Sequence, residues 1–534
     1  MSSELTRAQD DAIALPELVV TATRVPTPRE QIGSSISVLT AEDLANCQTV
    51  IVSDVLREVP GVAVSRNGGV GNFTQVRIRG AEGNHTVVII DGIEVNDPGG
   101  GSEYDFGNLL AAEIERIEVL RGPQSALYGS DAIGGVINIT TKKGQEGLRV
   151  TSLGEAGSFS TYQFGATLSG GFQNLLDFSV GTNHLSTRGI SVADEDRGNN
   201  EEDGHRNGTV NTSIRVRPLD NLELGVIGRS VNSRIETDGF VGGIGAVDAD
   251  RDTKVKQLYG RAFARLFLFD ASDWISWDHT FSAAYTENKA DNDVRGNLSS
   301  EFDGFKNKYD YQTDLYLWTP QLAHTEQIFT FLFEDEKDRV DASSAFVEVN
   351  QDFKTKSYVG QYQLGVFDRL FLSGSVRRDD NDKLFDNETT YRATASYVHA
   401  ETATRLHGSY GTGVKNPTLF ELFGFAANFV GNPNLEPEES RGWDVGVEQS
   451  VWNDRASIDV TYFNNRIEDL IAGAGITAIN LDGTTKIDGI ELAVRADILD
   501  DLSFTGSYTW TLTEDANGTE LVRRAKHIAS VNLN

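Results

Sequence analysis

Carboxylates dominate the side chains able to do chemistry in this sequence. Asp194, Glu195, Asp196, Glu201, Glu202, Asp203, Asp238, Asp248, Asp250 and Asp252 crowd two stretches, 191–205 and 235–253. Calcium takes six to eight oxygen ligands, so clustered carboxylates at loop tips suit it. The run Asp248-x-Asp250-x-Asp252 opens like an EF-hand loop, but Thr253 stands at the required Gly and Tyr259 at the closing Glu, so that motif fails. A solvated acidic loop has the same composition. The eight histidines show no HExxH and no short metal spacing. Gly68-Gly69-Val70-Gly71 lacks the lysine and the strand–helix context of a phosphate loop. No paired catalytic carboxylates and no nucleophile motif stand out, so neither an enzymatic reaction nor a catalytic cofactor is expected. The single cysteine, Cys47, excludes a disulfide framework and a Cys-rich metal centre, and a buried thiol is expected there.

The balance of 47 Lys and Arg against 79 Asp and Glu leaves a formal charge of −32 on 534 residues. Such a chain does not neutralise phosphates, and no nucleic-acid partner is expected. No apolar run approaches the length of a spanning helix. Low averaged hydropathy is nevertheless compatible with membrane strands, because these alternate apolar and polar residues.

The texture of the chain changes near residue 143. Before it the pattern is mixed α/β. Helical spacing predicts one helix over Ala41–Val59, stopped by Pro60-Gly61. Short strands are predicted at Gln75–Arg79, Thr86–Ile90, Ile114–Leu120 and Val136–Thr140, joined by glycine-rich connections. After residue 143 the pattern is all β. Leu502, Phe504, Tyr508, Trp510 and Leu512 share one face, with Ser503, Thr505, Ser507, Thr509 and Thr511 on the other. Trp443, Val445 and Val447 oppose Asp444, Gly446 and Glu448 in the same way. A sandwich core also alternates. Strands of roughly ten residues, an unbroken polar second face and aromatics toward strand ends (Trp274, Trp277, Tyr462, Trp510) favour a membrane barrel. About eighteen strands are expected from residue 148 onward. Short turns are expected at Leu219–Leu222 and Val451–Ala456, and long acidic loops at Ser191–His205 and Ile235–Thr253.

Several strings carry more than periodicity. They are ELVVTATR at Glu17–Arg24, VRIRGAEGNHTVVIIDGIEVNDP at Val76–Pro98, and IERIEVLRGPQSALYGSDAIGGVINITTKKG at Ile114–Gly144. In the second half stand GTGVKNPTLFELFG at Gly411–Gly424 and GNPNLEPEESRGWDVGVE at Gly431–Glu448. Together, from residue 17 to the end, they resemble TonB-dependent outer-membrane receptors. RRDDND at Arg377–Asp382 and LVRRAKH at Leu521–His527 make the sequence most similar to the cobalamin receptors of that family.

The resemblance implies an N-terminal α/β plug inside a large antiparallel transmembrane β-barrel of about 22 strands, a size whose lumen is plugged. It divides the chain into a disordered tail 1–16, a Ton box 17–24, a plug 25–143 and a barrel 144–534. The implied function is import of cobalamin across the bacterial outer membrane, with an iron–siderophore or haem receptor as the alternative and a ligand-sensing transducer as a distant one. The implied partners are TonB, the substrate and outer-membrane lipid, for a chain acting as a monomer. Glu17, Leu18, Val19, Val20, Thr21, Ala22, Thr23 and Arg24 would add a strand to TonB. Plug arginines Arg79 and Arg121 would meet the wall carboxylates Glu438 and Asp444, although Asp444 is one methylene shorter than the glutamate common in the family. Glu201, Asp203, Asp238 and Asp252 match the calcium ligands of cobalamin receptors, with Ser191 standing where a further carboxylate would be. Asn67, Gly68, Gly69 and Asn96 would meet substrate at the plug apex. The final SVNLN reads as a strand just begun, where such barrels end on an aromatic residue, and the first sixteen residues carry no signal-peptide core. The sequence is therefore expected to be a piece of a longer product, lacking about four C-terminal strands of an even, closed count.

Overall fold

The computed structural model describes residues 17–534, except 192, 195, 197–200, 242–244, 273, 320–323, 345–346 and 427–428. The expected tail 1–16, Glu195 and the side chain of Asp248 lie outside the described residues. Two units are present: a small mixed domain up to Thr141, and an eighteen-stranded antiparallel sheet that wraps around it.

The large sheet runs in chain order from Gly147–Gly157 to His527–Leu533. Among the described residues after Thr141, only the small hairpin Ile471–Ala474/Thr477–Asn480 stands outside it. The first and last strands each have one neighbour. Period-two patterning decides which way each strand faces. In Leu502–Glu514, Thr509, Thr511 and Thr513 are buried toward the lumen, while Tyr508 on the opposite face is exposed. In Glu438–Val451, Glu438, Ser440 and Asp444 are buried, and Trp443, Val445 and Val447 are exposed. Polar residues thus line the lumen and apolar residues face lipid. Among the described residues no helix is long and apolar enough to cross a membrane; the strands do the crossing.

Connections distinguish the two ends. Tight turns at 173–175, 220–221, 367–369 and 452–455 lie at one end. Long connections, including 188–204, 416–437 and 515–526, lie at the other, which is the outer one. One expectation needs correction here. Residues 235–253 are mostly ladder rather than loop: strand pairing continues through Ile235↔Thr253, Glu236↔Asp252 and Thr237↔Arg251. Strands Leu222–Val241 and Gly245–Ser272, of 20 and 28 residues, are much longer than the ~10 needed to span a bilayer. Their distal parts stand in water, where backbone pairing tolerates acidic side chains on both faces.

Inside the sheet sits the plug. Its main sheet has five strands in the order Ile36–Thr40, Ile114–Arg121, Gly135–Thr141, Thr86–Ile90, Ile93–Glu94, with one parallel pairing between Thr86–Ile90 and Gly135–Thr141. Val62–Arg66 and Thr74–Ile78 form a separate hairpin. The single helix expected over Ala41–Val59 is two short ones, Ala41–Asn46 and Val52–Leu56. Thr40 and Asp43 form a capping box at the start of the first. Gln48, at φ 48°, is left-handed and breaks the helix before Val52, Val55 and Leu56 turn inward, completely buried. Cys47, at the break, is half-buried rather than buried. Its Sγ lies 2.9 Å from Glu58 Oε1. Burial, and then Glu58, push its pKa up to about 12, so the thiol is inert.

Candidate functional site

The chemistry of this molecule is concentrated where plug meets wall. Gly61 and Arg79 begin that interface. Arg79 N donates to Gly61 O at 2.6 Å, and Arg79 itself sits at φ 52°. Gly61, at φ 76°, packs so closely on the wall that a Cβ would stand 2.2 Å from Glu491 Oε1. This bend aims the Arg79 guanidinium outward. Its Nη1 donates to Asp444 Oδ2 at 2.9 Å, and Nε and Nη2 donate to the two oxygens of Glu491 at 2.9 and 2.8 Å. The group also stacks over Phe463, 4.6 Å from the ring centroid. Burial opposes the charge on Arg79, but Glu491 and Asp444 outweigh it and its pKa goes up. Arg121 lies 3.5 Å from the same Glu491 and donates to Pro60 O at 2.9 Å. Burial pulls its pKa down, with Glu491 opposing.

The structure therefore brings Arg79, Arg121 and Asp444 together but not Glu438. Glu438 Oε2 lies 2.6 Å from Nε2 of the fully buried plug His85, and its Oε1 accepts from Ile471 N. Sequence reasoning missed Glu491, the carboxylate that holds both arginines. Its signal is an acid on the inward face of Thr484–Leu499, between Gly489 and Ala493.

A second set of ion pairs, also missed, joins plug to wall on another side. Plug Glu94 accepts from Lys306 at 2.8 Å and Lys308 at 3.3 Å. Lys308 is 3.2 Å from Glu334, which also pairs with Arg377 at 2.6 Å and with Arg24 at 3.2 Å. Arg24 belongs to the expected Ton box, so one wall carboxylate is shared between that segment and the network holding Glu94.

The segment 17–24 is docked at the short-turn end. Leu18–Val19 pairs antiparallel with Thr27–Pro28. Glu118 Oε2 accepts from Val20 N, Thr21 N and Thr21 Oγ1, the first two at 3.0 and 2.9 Å. Tyr128 OH donates to Thr21 O at 2.8 Å, and Arg116 donates to Leu18 O at 2.6 Å. Val19, Thr21, Ala22 and Thr23 are buried, whereas Glu17 is exposed and Leu18 and Val20 remain 48% and 39% exposed.

At the outer end the expected apex residues separate. Asn67 and Gly68 are exposed and Gly69 is half-buried, at the tip of the 62–78 hairpin, with the 38% exposed Phe73 beside them. Asn96 does not face the vestibule. It is 2% exposed, and its amide bonds Val88 N, Thr86 O and Ser102 O, a bracket inside the plug. Nearby, burial pushes Asp97 and Glu103 up to about 7 each. Of the four expected calcium ligands, Glu201, Asp203 and Asp238 present oxygens within 4.8 Å of one another. Asp252 is apart from them, paired with Arg234 at 3.1 Å. Asp238 also accepts from Ala193 N at 2.7 Å, which ties the 188–204 segment to the tall hairpin.

A polar plug held by ionic contacts within a lipid-facing β wall defines a class of outer-membrane protein. Residues 28–136 match the TonB-dependent receptor plug domain, and residues 187–534 match the TonB-dependent receptor-like β-barrel. The chain belongs to the TonB-dependent receptor family and is an outer-membrane protein. Its fold is similar to that of the ferric enterobactin receptor PfeA of Pseudomonas aeruginosa, at a TM-score of 0.74 and 18% identity, covering 93% of this chain and 84% of that one. The siderophore receptor PirA of Acinetobacter baumannii gives 0.73 and 20%, covering 93% and 83%. FpvA of P. aeruginosa, bound to a pyoverdine, gives 0.76 and 16%, covering 96% and 75%.

Two outcomes are expected. Arg79→Ala leaves Glu491 and Asp444 buried without their shared partner and should destabilise plug docking by about 3–5 kcal/mol. Arg79→Lys should recover only part, because one ammonium does not reproduce the fork. The midpoint of urea-induced plug release, followed by plug amide exchange, measures both. The raised pKa values of Asp97 and Glu103 mean that the folded plug binds more protons than the unfolded chain between about pH 4 and 7. These groups therefore stabilise the plug as pH falls from 7 to 5. Asp97→Asn with Glu103→Gln should flatten that part of the stability profile.

Proposed function

We propose that the protein captures a scarce metal chelate of the iron–siderophore type at its outer face and passes it inward in a TonB-driven step. The observation that carries this reading is the state of Leu18–Val20. Leu18–Val19 is extended, Leu18 and Val20 stay exposed at the inner end, and the segment is held by hydrogen bonds to Glu118, Tyr128 and Arg116 and by Val19, buried in an apolar cluster that plug and wall share. Strand addition by a periplasmic partner would use its backbone for affinity and Leu18 and Val20 for specificity. Pulling on it then acts on Glu118 in the plug sheet and, through Arg24, on Glu334 in the wall. The siderophore class is supported by the receptors named above, whose fold this chain shares. Val20→Pro removes a backbone donor from the segment. It should abolish uptake of radiolabelled ferric chelate by cells while leaving chelate binding to the purified protein within twofold. Uptake at the wild-type rate would overturn the reading.

One observation favours cobalamin as a second reading: the gathering of Glu201, Asp203 and Asp238 at the outer end. Three convergent carboxylates suit Ca2+, which would staple the 188–204 segment to the tall hairpin and order a binding surface. Calorimetry should then show Ca2+ binding that weakens at least tenfold in Asp238→Asn, and cyanocobalamin binding that needs Ca2+. Ferric-siderophore binding indifferent to Ca2+, with no cobalamin binding, would remove this reading.

A further inference from the structure

Between plug and wall lies a cavity of about 400 Å³, within the range of small-ligand sites. Plug residues Ile89, Asn138 and Thr140 form one side and the wall strands between Arg215 and Gln312 form the other, while Val20 and Arg24 of the docked segment close it. Its two halves differ in charge. Toward mid-barrel, Lys306, Lys308 and Arg24 are neutralised by Glu94 and Glu334 at 2.8–3.3 Å. Toward the short-turn end stand Lys143, Arg215, Arg261 and Arg265. Lys143 and Arg261 have no carboxylate in ion-pair range among the described residues; Arg261 Nη1 reaches only the backbone oxygen of Asp91, at 3.4 Å, its guanidinium lies over Phe263, and its Nε is buried without a hydrogen-bond partner. Arg215 and Arg265 reach their carboxylates only at 3.9 and 3.7 Å. Those carboxylates, Asp177 and Glu223, are already engaged by Arg217 at 2.9 and 3.0 Å. The carboxylates lining this half are Asp91, Asp310 and Glu223, one fewer than its four cations; Asp91 also accepts from Thr141 N and Oγ1, and Asp310 from Ser282 Oγ. In a chain of charge −32, a cavity half whose cations outnumber its carboxylates, with a buried guanidinium nitrogen unpartnered, is a departure that general acidity does not explain.

We propose that this half of the cavity is a binding site for a small multivalent carboxylate anion, the kind of group an anionic chelate presents. Guanidinium forks match carboxylates bidentately, and a confined site strengthens each contact. The site lies beside the inner end, and the docked segment is its closing wall. A solute that reaches it would leave when Val20 and Arg24 move away. In that respect the inference rests on the transport reading and deepens it, by assigning an anionic cargo and its last station. The acidic outer end and this cationic inner cavity give the path a field that changes sign along its length.

The test uses the purified full chain in detergent and citrate as the probe. Calorimetry at low salt should detect citrate binding to wild type. Arg261→Gln/Arg265→Gln should weaken it at least tenfold, and the outer-end control Lys354→Gln should leave it unchanged. Should the double variant fail to fold, Lys143→Gln, at an exposed side chain, should still weaken binding about threefold, as expected for loss of one partly screened charge. Absence of citrate binding by wild type, or equal affinity in all variants, overturns the proposal. Citrate binding is independent of TonB and of uptake. A wild type that binds citrate here but imports no ferric chelate would leave this site standing and remove the transport reading instead.

Discussion

The guanidinium of Arg79, clamped between Asp444 and Glu491, expresses the constraint that organises the molecule: the plug must be fixed firmly and yet not permanently. Apolar burial would fix it, but would resist separation over the whole contact. Buried ion pairs behave differently. Their net stabilisation is small because desolvation offsets attraction, yet losing one partner is costly, so position is strictly enforced. Water can also take over each contact as it breaks. Apolar contact between plug and wall is split into separate patches, around Tyr259 and Phe263, around Leu332 and Val359, around Phe463 and Ile487, and at Leu185. Between those patches Arg79, Arg121, His85, Glu94 and Arg24 meet wall acids and lysines. A polar lumen in turn forces the period-two pattern on every strand, since the opposite face meets lipid.

That pattern is why so much of the architecture was legible. Strict alternation reveals the strands of the large sheet and their orientation: about eighteen are expected, and among the described residues eighteen stand in the sheet. The short buried plug strands were legible for a different reason, as continuous apolar runs bounded by turn residues, such as Thr86–Ile90. What failed was local. A helical period through Ala41–Val59 hid the break at Gln48, because Cys47–Ile51 keeps the spacing while the backbone leaves the helix. The acidic stretch 235–253 read as loop because composition reports solvent exposure, and above the bilayer an exposed ladder looks the same as a loop.

The site was legible only in part, and the division is physical. The plug arginines lie in strings distinctive enough to be singled out, and Asp444 lies in another, Gly431–Glu448. Glu491, Lys306, Lys308 and Glu334 are ordinary charged residues in ordinary alternating strands. Their importance comes from which rung of the ladder faces which plug residue, and register is set by the whole sheet. Asn96 shows the converse error. It sits in a loop-like string yet spends its amide on three backbone groups, a bracket that polar composition alone does not reveal.

The hairpin at the very start of the described chain bears on mechanics. Leu18–Val19 runs back against Thr27–Pro28, so a load applied ahead of Glu17 meets that ladder at its open end and peels it one contact at a time. The first rung at that end is the bond from Arg29 N to Glu17 O, at 2.8 Å. The three bonds converging on Glu118 come next, and they lie close enough together to be loaded in parallel. Force therefore meets compliance first and stiffness second. A weak or brief tug spends itself in slack, and only a sustained one reaches the sheet that carries Arg121 and, beyond it, the clasp on the wall.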